Sequence, residues 1–176
     1  MEETISSRVV FSGEALRLRV DEVRLPDGSR STREIIEHRD CVCIIPLDES
    51  GNILMVRQYR KAVGKKLLEI PAGSIDGGET PEEAARREMR EETGFRPEKL
   101  ENLGGYYASP GYCTEYMHLF LAQDLVADAL HAEDTEEIEV VKVPKDNIGG
   151  MIKSGEIQDA KSVAGLLLYL CRVINR

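Results

Sequence analysis

The first third of the chain is dominated by apolar positions that alternate with charged ones. ALRLRVDEVRL (Ala15–Leu25) alternates over several residues, Pro26-Asp27-Gly28 supplies turn chemistry, and STREIIEH (Ser31–His38) returns with a similar pattern. Period two bounded by such a turn predicts an antiparallel hairpin, within a strand region that begins near Val9. CVCIIPL (Cys41–Leu47) is continuously apolar and predicts a strand buried on both faces. ILMVRQY (Ile53–Tyr59) follows after DESGN, which predicts a second hairpin with a longer, glycine-containing loop.

Beyond Lys65–Ala72 the pattern changes: Gly73, Gly77 and Gly78 mark a loop, and a helix start follows. Thr80 suits the N-cap, Pro81 the first helical position, and Glu83 completes a T-x-x-E capping box, while Gly94 stands where a C-terminal cap belongs. These signals predict a helix over 81–93. Further strands are expected around Tyr116–Ala122 and Ile138–Val143, and an apolar helix over Val163–Ile174. Strands around a central helix, with helices later, predict an α+β sandwich, divided into an N-terminal strand region (residues 1–40) and a main domain (41–176).

Composition narrows the function. At 176 residues, with 41% hydrophobic and 31% charged, the chain can close one ordinary core. With 23 Lys and Arg against 32 Asp and Glu, its net charge is −9, which disfavours a nucleic acid polymer as partner. The apolar run Val163–Cys171 is about half the length a bilayer requires, and MEETISSRVV lacks the basic and apolar regions of a secretory signal, so no membrane association and a cytoplasmic location are expected. The four cysteines form no CxxC pair, and His38, His118 and His131 are too dispersed for a zinc site.

The charges on PEEAARREMREETGF carry the chemistry. Glu82 with Arg86 and Glu83 with Arg87 read as favourable i,i+4 surface pairs. Glu88, Glu91 and Glu92 share one face instead, and Glu88 and Glu92 are like charges at i,i+4, an arrangement that costs a few tenths of a kcal/mol. Hard divalent cations are held by carboxylates together with substrate phosphates, which gives that face a purpose. The preceding glycines permit close backbone approach to an ion or a phosphate.

From Gly73 to Phe95 the spacing is G-x5-E-x7-R-E-M-x-E-E-x-G-F, with Gly73, Glu79, Arg87, Glu88, Met89, Glu91, Glu92, Gly94 and Phe95 in the fixed positions. By these nine positions the chain resembles the Nudix hydrolase family. The resemblance implies an α/β/α sandwich around a mixed sheet, and hydrolysis of a nucleoside diphosphate linked to another group. It also implies that Glu88, Glu91 and Glu92, with the Ala72 carbonyl, hold Mg²⁺ or alternatively Mn²⁺, and that Arg87 and Glu79 orient the carboxylates.

LLEIPAGSIDGGETPEEAARREMREETGF followed by YYASPGYCTEYMHLFLA is similar to the ADP-ribose and sugar-nucleotide pyrophosphatase branch, where a proline at the place of Pro110, fifteen residues beyond Phe95, marks ADP-ribose hydrolases. The likeness implies ADP-ribose as the nucleotide-sugar substrate, with GDP-mannose, NADH and dinucleoside polyphosphates as alternatives. A nucleotide-sensing regulator without catalysis is the rival from another class, and the three retained glutamates argue against it. Arg57 and Arg60 in VRQYR, and Glu69 in LLEIPAG, join Pro110 as candidate substrate-binding residues. Glu136, in the acidic loop 133–137, is the carboxylate that the likeness assigns to the attacking water, with Asp134 and Glu137 as competitors. The chain has no tryptophan, so an adenine stack would fall to another side chain, with Tyr59, Tyr106, Tyr107 and Tyr112 as candidates. The resemblance further implies a homodimer in which the strands of Val9–His38 reach the second subunit.

Overall fold

The computed structural model describes residues 1–131 and 138–174, and they form two compact units. The first comprises Met1–Asp40 with Tyr107–Tyr116, the second Cys41–Tyr106 with Met117–Arg176.

In the first unit β1 (Glu3–Ser12), β2 (Arg17–Arg24) and β3 (Arg30–Glu37) make an antiparallel sheet in that order. The expected turn closes β2 onto β3: Gly28 N–H donates to Leu25 O (2.9 Å), and Gly28 adopts φ 85°, which only glycine takes without strain. The strand region starts at Glu3 rather than Val9, because β1 is an exposed edge strand whose apolar and polar residues show no period. The segment 107–116 hydrogen-bonds to β3 through Ile36 N–H to Tyr112 O (2.7 Å) and Thr114 N–H to Ile36 O (3.0 Å).

The second unit is a layered sandwich. Its mixed sheet has the order β7 (Ala72–Ser74), β4 (Cys41–Pro46), β9 (Tyr116–Ala127), β8 (Phe95–Tyr107), with β4 parallel to β9 and antiparallel to β7. All of β4 is buried, as its apolar run requires. Alternate residues serve opposite layers: Val42 and Ile44, with Phe120 and Ala122 of β9, pack on Ala84, Ala85 and Met89 of α1 (Pro81–Thr93). On the other side α3 (Ala160–Ile174) comes so close that a Cβ on Gly165 would stand 3.0 Å from Leu119 Cδ1 and 3.1 Å from Ile70 Cδ1. Burying a side chain the size of Met89 contributes about 2 kcal/mol, so packing rather than charge fixes α1.

A second, antiparallel sheet has the order β10 (Glu139–Pro144), β5 (Asn52–Arg60), β6 (Lys65–Glu69). The expected hairpin between residues 41–47 and 53–59 is therefore corrected. Beyond one bridge, Leu47 to Ile53, the two strands part, because β4 is paired on both edges by β7 and β9, and β5 by β10 and β6. A 3-10 turn (Lys145–Asn147) leads into α2 (Ile148–Ser154), and α3 begins at Ala160, three residues before its apolar run. Among the described residues no helix is long and apolar enough to cross a membrane.

Candidate active site

The site grows out of the turn and helix that follow β7. Thr80 caps α1 as its sequence requires: Glu83 N–H donates to Thr80 Oγ1 (3.3 Å), and the Glu83 carboxylate accepts from Thr80 N–H (2.8 Å). Gly94 closes the other end in the left-handed region, φ 77°, with its N–H on Arg90 O. The expected surface pairs give way to these demands. Glu83 closes the capping box, Arg86 donates to Pro97 O (2.6 Å), and Arg87 turns toward the carboxylates.

Arg87 uses all five of its N–H donors. Nε and Nη2 grip Glu79 (2.8 and 2.9 Å), Nη1 is shared by Glu88 (2.7 Å) and Glu91 (3.1 Å), and Nη2 also reaches Ser74 O (3.0 Å). One guanidinium thus ties the glycine loop to two carboxylates of the proposed metal face. The Glu79 side chain bonds back to Asp76 N–H (3.1 Å), and Arg87 first, with that bond, holds the Glu79 carboxyl below its ordinary range.

Glu88 is only 8% exposed, and a Cβ on Gly73 would fall 1.9 Å from Glu88 Oε1. A side chain at 73 would displace the Glu88 carboxylate from its place beside Arg87, so the signature glycine is what lets that carboxylate lie against β7. Glu92 reaches the same strand, its Oε2 accepting from Ala72 N–H (3.0 Å). Burial, and next the charge of Glu88, push the Glu92 carboxyl up to about 8; Ala72 N–H, Lys161 and Arg60 pull in the other direction. Burial also raises Glu88, with Arg87 opposing it. Two partly desolvated carboxylates thus lie against β7, Glu88 at Gly73 and Glu92 on Ala72 N–H, and oxygen donors of this kind suit a hard divalent cation. These residues fit the group that the sequence implies.

Around this face the other candidates separate. Glu69, 1% exposed, closes β6 and is gripped by Arg60 of β5, Nε to Oε1 at 3.1 Å and Nη2 to Oε2 at 2.7 Å. Arg57 lies at 3.7 Å from Glu139 of β10. Pro110 belongs to the first unit, in a turn where Cys113 N–H donates to Ser109 O (2.9 Å). Glu136, with Asp134 and Glu137, lies outside the described residues. Tyr106 donates to Lys161 O (2.7 Å) inside the second unit, whereas Tyr59, Tyr107 and Tyr112 are exposed.

Sequence reasoning missed one participant, Lys161. Its Nζ bonds Glu69 and, at 2.9 Å, Asp159. The available signal was Asp159 itself: it accepts from Ser162 N–H (3.1 Å), so D-x-x-S marks the true start of α3 and places Lys161 in its first turn.

Comparison with known proteins shows the family and the fold. The NUDIX domain model matches residues 37–166, and the model of the nucleoside diphosphate sugar hydrolase N-terminal domain matches residues 2–36. The chain is 38% identical over 163 residues to the ADP-ribose pyrophosphatase of Bacillus subtilis (strain 168), covering 92% of this chain and 88% of that protein. It is 38% identical over 164 residues to the methanol dehydrogenase activator of Bacillus methanolicus, covering 92% and 89%. A crystal structure of an ADP compounds hydrolase shares the fold, with a TM-score of 0.91 at 24% identity over 99% of this chain and 95% of that one. With a matched domain across most of its length and the full glutamate signature in place, the chain belongs to the Nudix family of hydrolases, enzymes of the diphosphate bond.

Proposed function

We propose that the protein cleaves the diphosphate of a nucleotide sugar, ADP-ribose foremost, to give AMP and ribose 5-phosphate. The observation that carries this reading is the knot made by Arg87, which holds Glu79, Glu88 and Glu91 together beside Glu92. Pro110, and a relative named ADP-ribose pyrophosphatase, favour ADP-ribose over GDP-mannose.

Glu88, Glu91, Glu92 and the Ala72 carbonyl would hold Mg²⁺, or Mn²⁺ in its place. The cation would neutralise phosphate oxygens, lower the pKa of water and stabilise the leaving oxygen. The protein residues supply the rest. Arg87 keeps the carboxylates in register so that little reorganisation is left to the reaction. Arg60, anchored by Glu69, and Arg57 present positive charge to the phosphates, and Pro110 is the further residue that the sequence resemblance assigns to the substrate. Glu136 takes the proton of the attacking water.

Residues 41–176 act as the hydrolase domain and 1–40 as the dimerising strand region, since β1 leaves Val9, Val10 and Phe11 exposed on an unpaired edge. Cysteines that form no disulfide, Cys41, Cys43, Cys113 and Cys171, suit a reducing cytoplasm.

A panel of nucleotide sugars and dinucleotides tests the reading, with products separated by chromatography. ADP-ribose should be among the best substrates with Mg²⁺ present, and chelation should abolish turnover. Strong cleavage of GDP-mannose with almost none of ADP-ribose would reverse the order of substrates. No hydrolysis of any member would remove the proposal.

A further inference from the structure

Between Glu49 and Glu69 the chain carries five cations and no acid, in a protein whose net charge is −9. Three of them, Lys61, Lys65 and Lys66, are exposed on the hairpin that joins β5 to β6. That hairpin is tight. Val63 N–H and Gly64 N–H both donate to Arg60 O (3.1 and 2.9 Å), and Gly64 takes φ 69°, in the left-handed region. The backbone that bears the lysines is therefore fixed beside Arg60 rather than carried on a long loop.

Strand register sets the direction of these charges. Arg60 stands opposite Lys65 and Val56 opposite Glu69, so the period of two puts Arg60, Lys65 and Glu69 on one face of the sheet. On that face Arg60 and Lys161 are balanced by Glu69 and Asp159. Those four groups carry no net charge, so attraction of a distant anion has to come from elsewhere. Lys65 differs from them: its Nζ donates to Gln158 Oε1 (2.8 Å), a neutral acceptor. Among the described residues no acid pairs with Lys61, Lys65 or Lys66. The root of the hairpin also lies within electrostatic reach of the carboxylate face, since Arg60 is one of the charges that act on Glu92.

We propose that the β5–β6 hairpin, through Lys61, Lys65 and Lys66, is an electrostatic recognition element that draws the anionic diphosphate of the substrate toward the carboxylate face. This rests on the proposed hydrolysis of a nucleotide sugar. The lysines touch no reacting atom. Their field favours the bound anion and its transition state alike, so it lowers KM and leaves kcat. Because the three are exposed, salt screens them, over about 10 Å at 0.1 M.

The test is steady-state kinetics of the full chain with saturating Mg²⁺, on the best substrate of the panel, at ionic strengths of about 0.02 M and about 0.5 M. Wild-type turnover judges the proposed function, and the ratio of variant to wild type at each salt judges the hairpin. The triple variant Lys61→Gln, Lys65→Gln, Lys66→Gln should raise KM about fivefold at low salt, approach the wild-type KM at high salt, and keep kcat within about twofold at both. A control triple variant, Lys99→Gln, Lys142→Gln, Lys145→Gln, changes the net charge equally, on β8 and at the other end of β5, where Lys142 stands opposite Leu54 and Lys145 N–H donates to Gly51 O. It should stay within about twofold of wild type in KM. An unchanged KM in the hairpin variant at low salt overturns the inference. So does a rise in KM that salt does not remove, a loss of kcat at constant KM, or an equal rise in the control. If the hairpin variant does not fold, judged by thermal unfolding, the three single substitutions are measured in its place, and the absence of a salt-dependent rise in KM from all of them overturns the inference in the same way.

Discussion

At the scale of single residues the site is an electrostatic conflict held in place. Glu88 and Glu92 are like charges on one helix face, partly withdrawn from water, and Arg87 serves one of them directly. Glu92 carries the clearest signature: burial first, then Glu88, hold its proton up to about 8 against the ordinary 4.5. Without a cation the folded chain binds more protons than the unfolded chain between those two values. Its contribution to stability is therefore fully present below 4.5 and falls as pH rises toward 8. Glu92→Gln removes that cost. Metal-free Glu92→Gln should melt no lower than wild type at pH 8, while its Mg²⁺-dependent kcat falls by about 10² or more. Parallel calorimetry and kinetics check both. The glutamates were legible in the sequence because three share a helix face within five residues, whereas Lys161 was not, being brought to Glu69 by the packing of α3 across 92 residues of chain.

At the scale of elements, legibility followed how local each signal is. The bounds of α1 agree with the sequence expectation at both ends, because Thr80, Pro81, Glu83 and Gly94 fix them within one turn. β8 had no such signal. FRPEKLENLGGYY shows no alternation and buries only Pro97 and Leu103, so the sheet beside it and not its own pattern makes it a strand. The β4 and β5 runs were each legible, but their partners were not, since DESGN reads as a hairpin loop whether or not its flanks stay paired. The caps give an element-level prediction: Thr80→Ala should cost about 1 kcal/mol in denaturant unfolding. Turnover at saturating substrate and Mg²⁺ should stay within about twofold of wild type, because Arg87 holds the carboxylates and the loop together without the cap. A tenfold loss of kcat would show that the capping box itself sets the metal face.

At the scale of the whole molecule the chain forms two compact units. The fold of the second unit follows from its buried β4 and the layers of α1 and α3, and its general class was readable from the order of strands and helices. The first unit was readable as strands and not as an assembly, since a small sheet with an exposed apolar edge does not name what covers it. The proposed homodimer predicts twice the monomer mass in light scattering, and loss of dimer when the chain begins near Asp40. A full-length monomer contradicts it, and a shortened chain that stays dimeric with unchanged KM shows that another surface joins the subunits.

Glu88, Glu91 and Glu92 form the proposed cation site on which hydrolysis depends. Electron paramagnetic resonance of Mn²⁺ titrated into wild type and Glu92→Gln measures it without recourse to turnover. Wild type should bind Mn²⁺ with an affinity that rises from pH 6 to 8, as Glu92 gives up its proton, and Glu92→Gln should bind at least about tenfold more weakly with little pH dependence over that range. Equal binding by the two proteins, with the same pH dependence, would contradict the assignment.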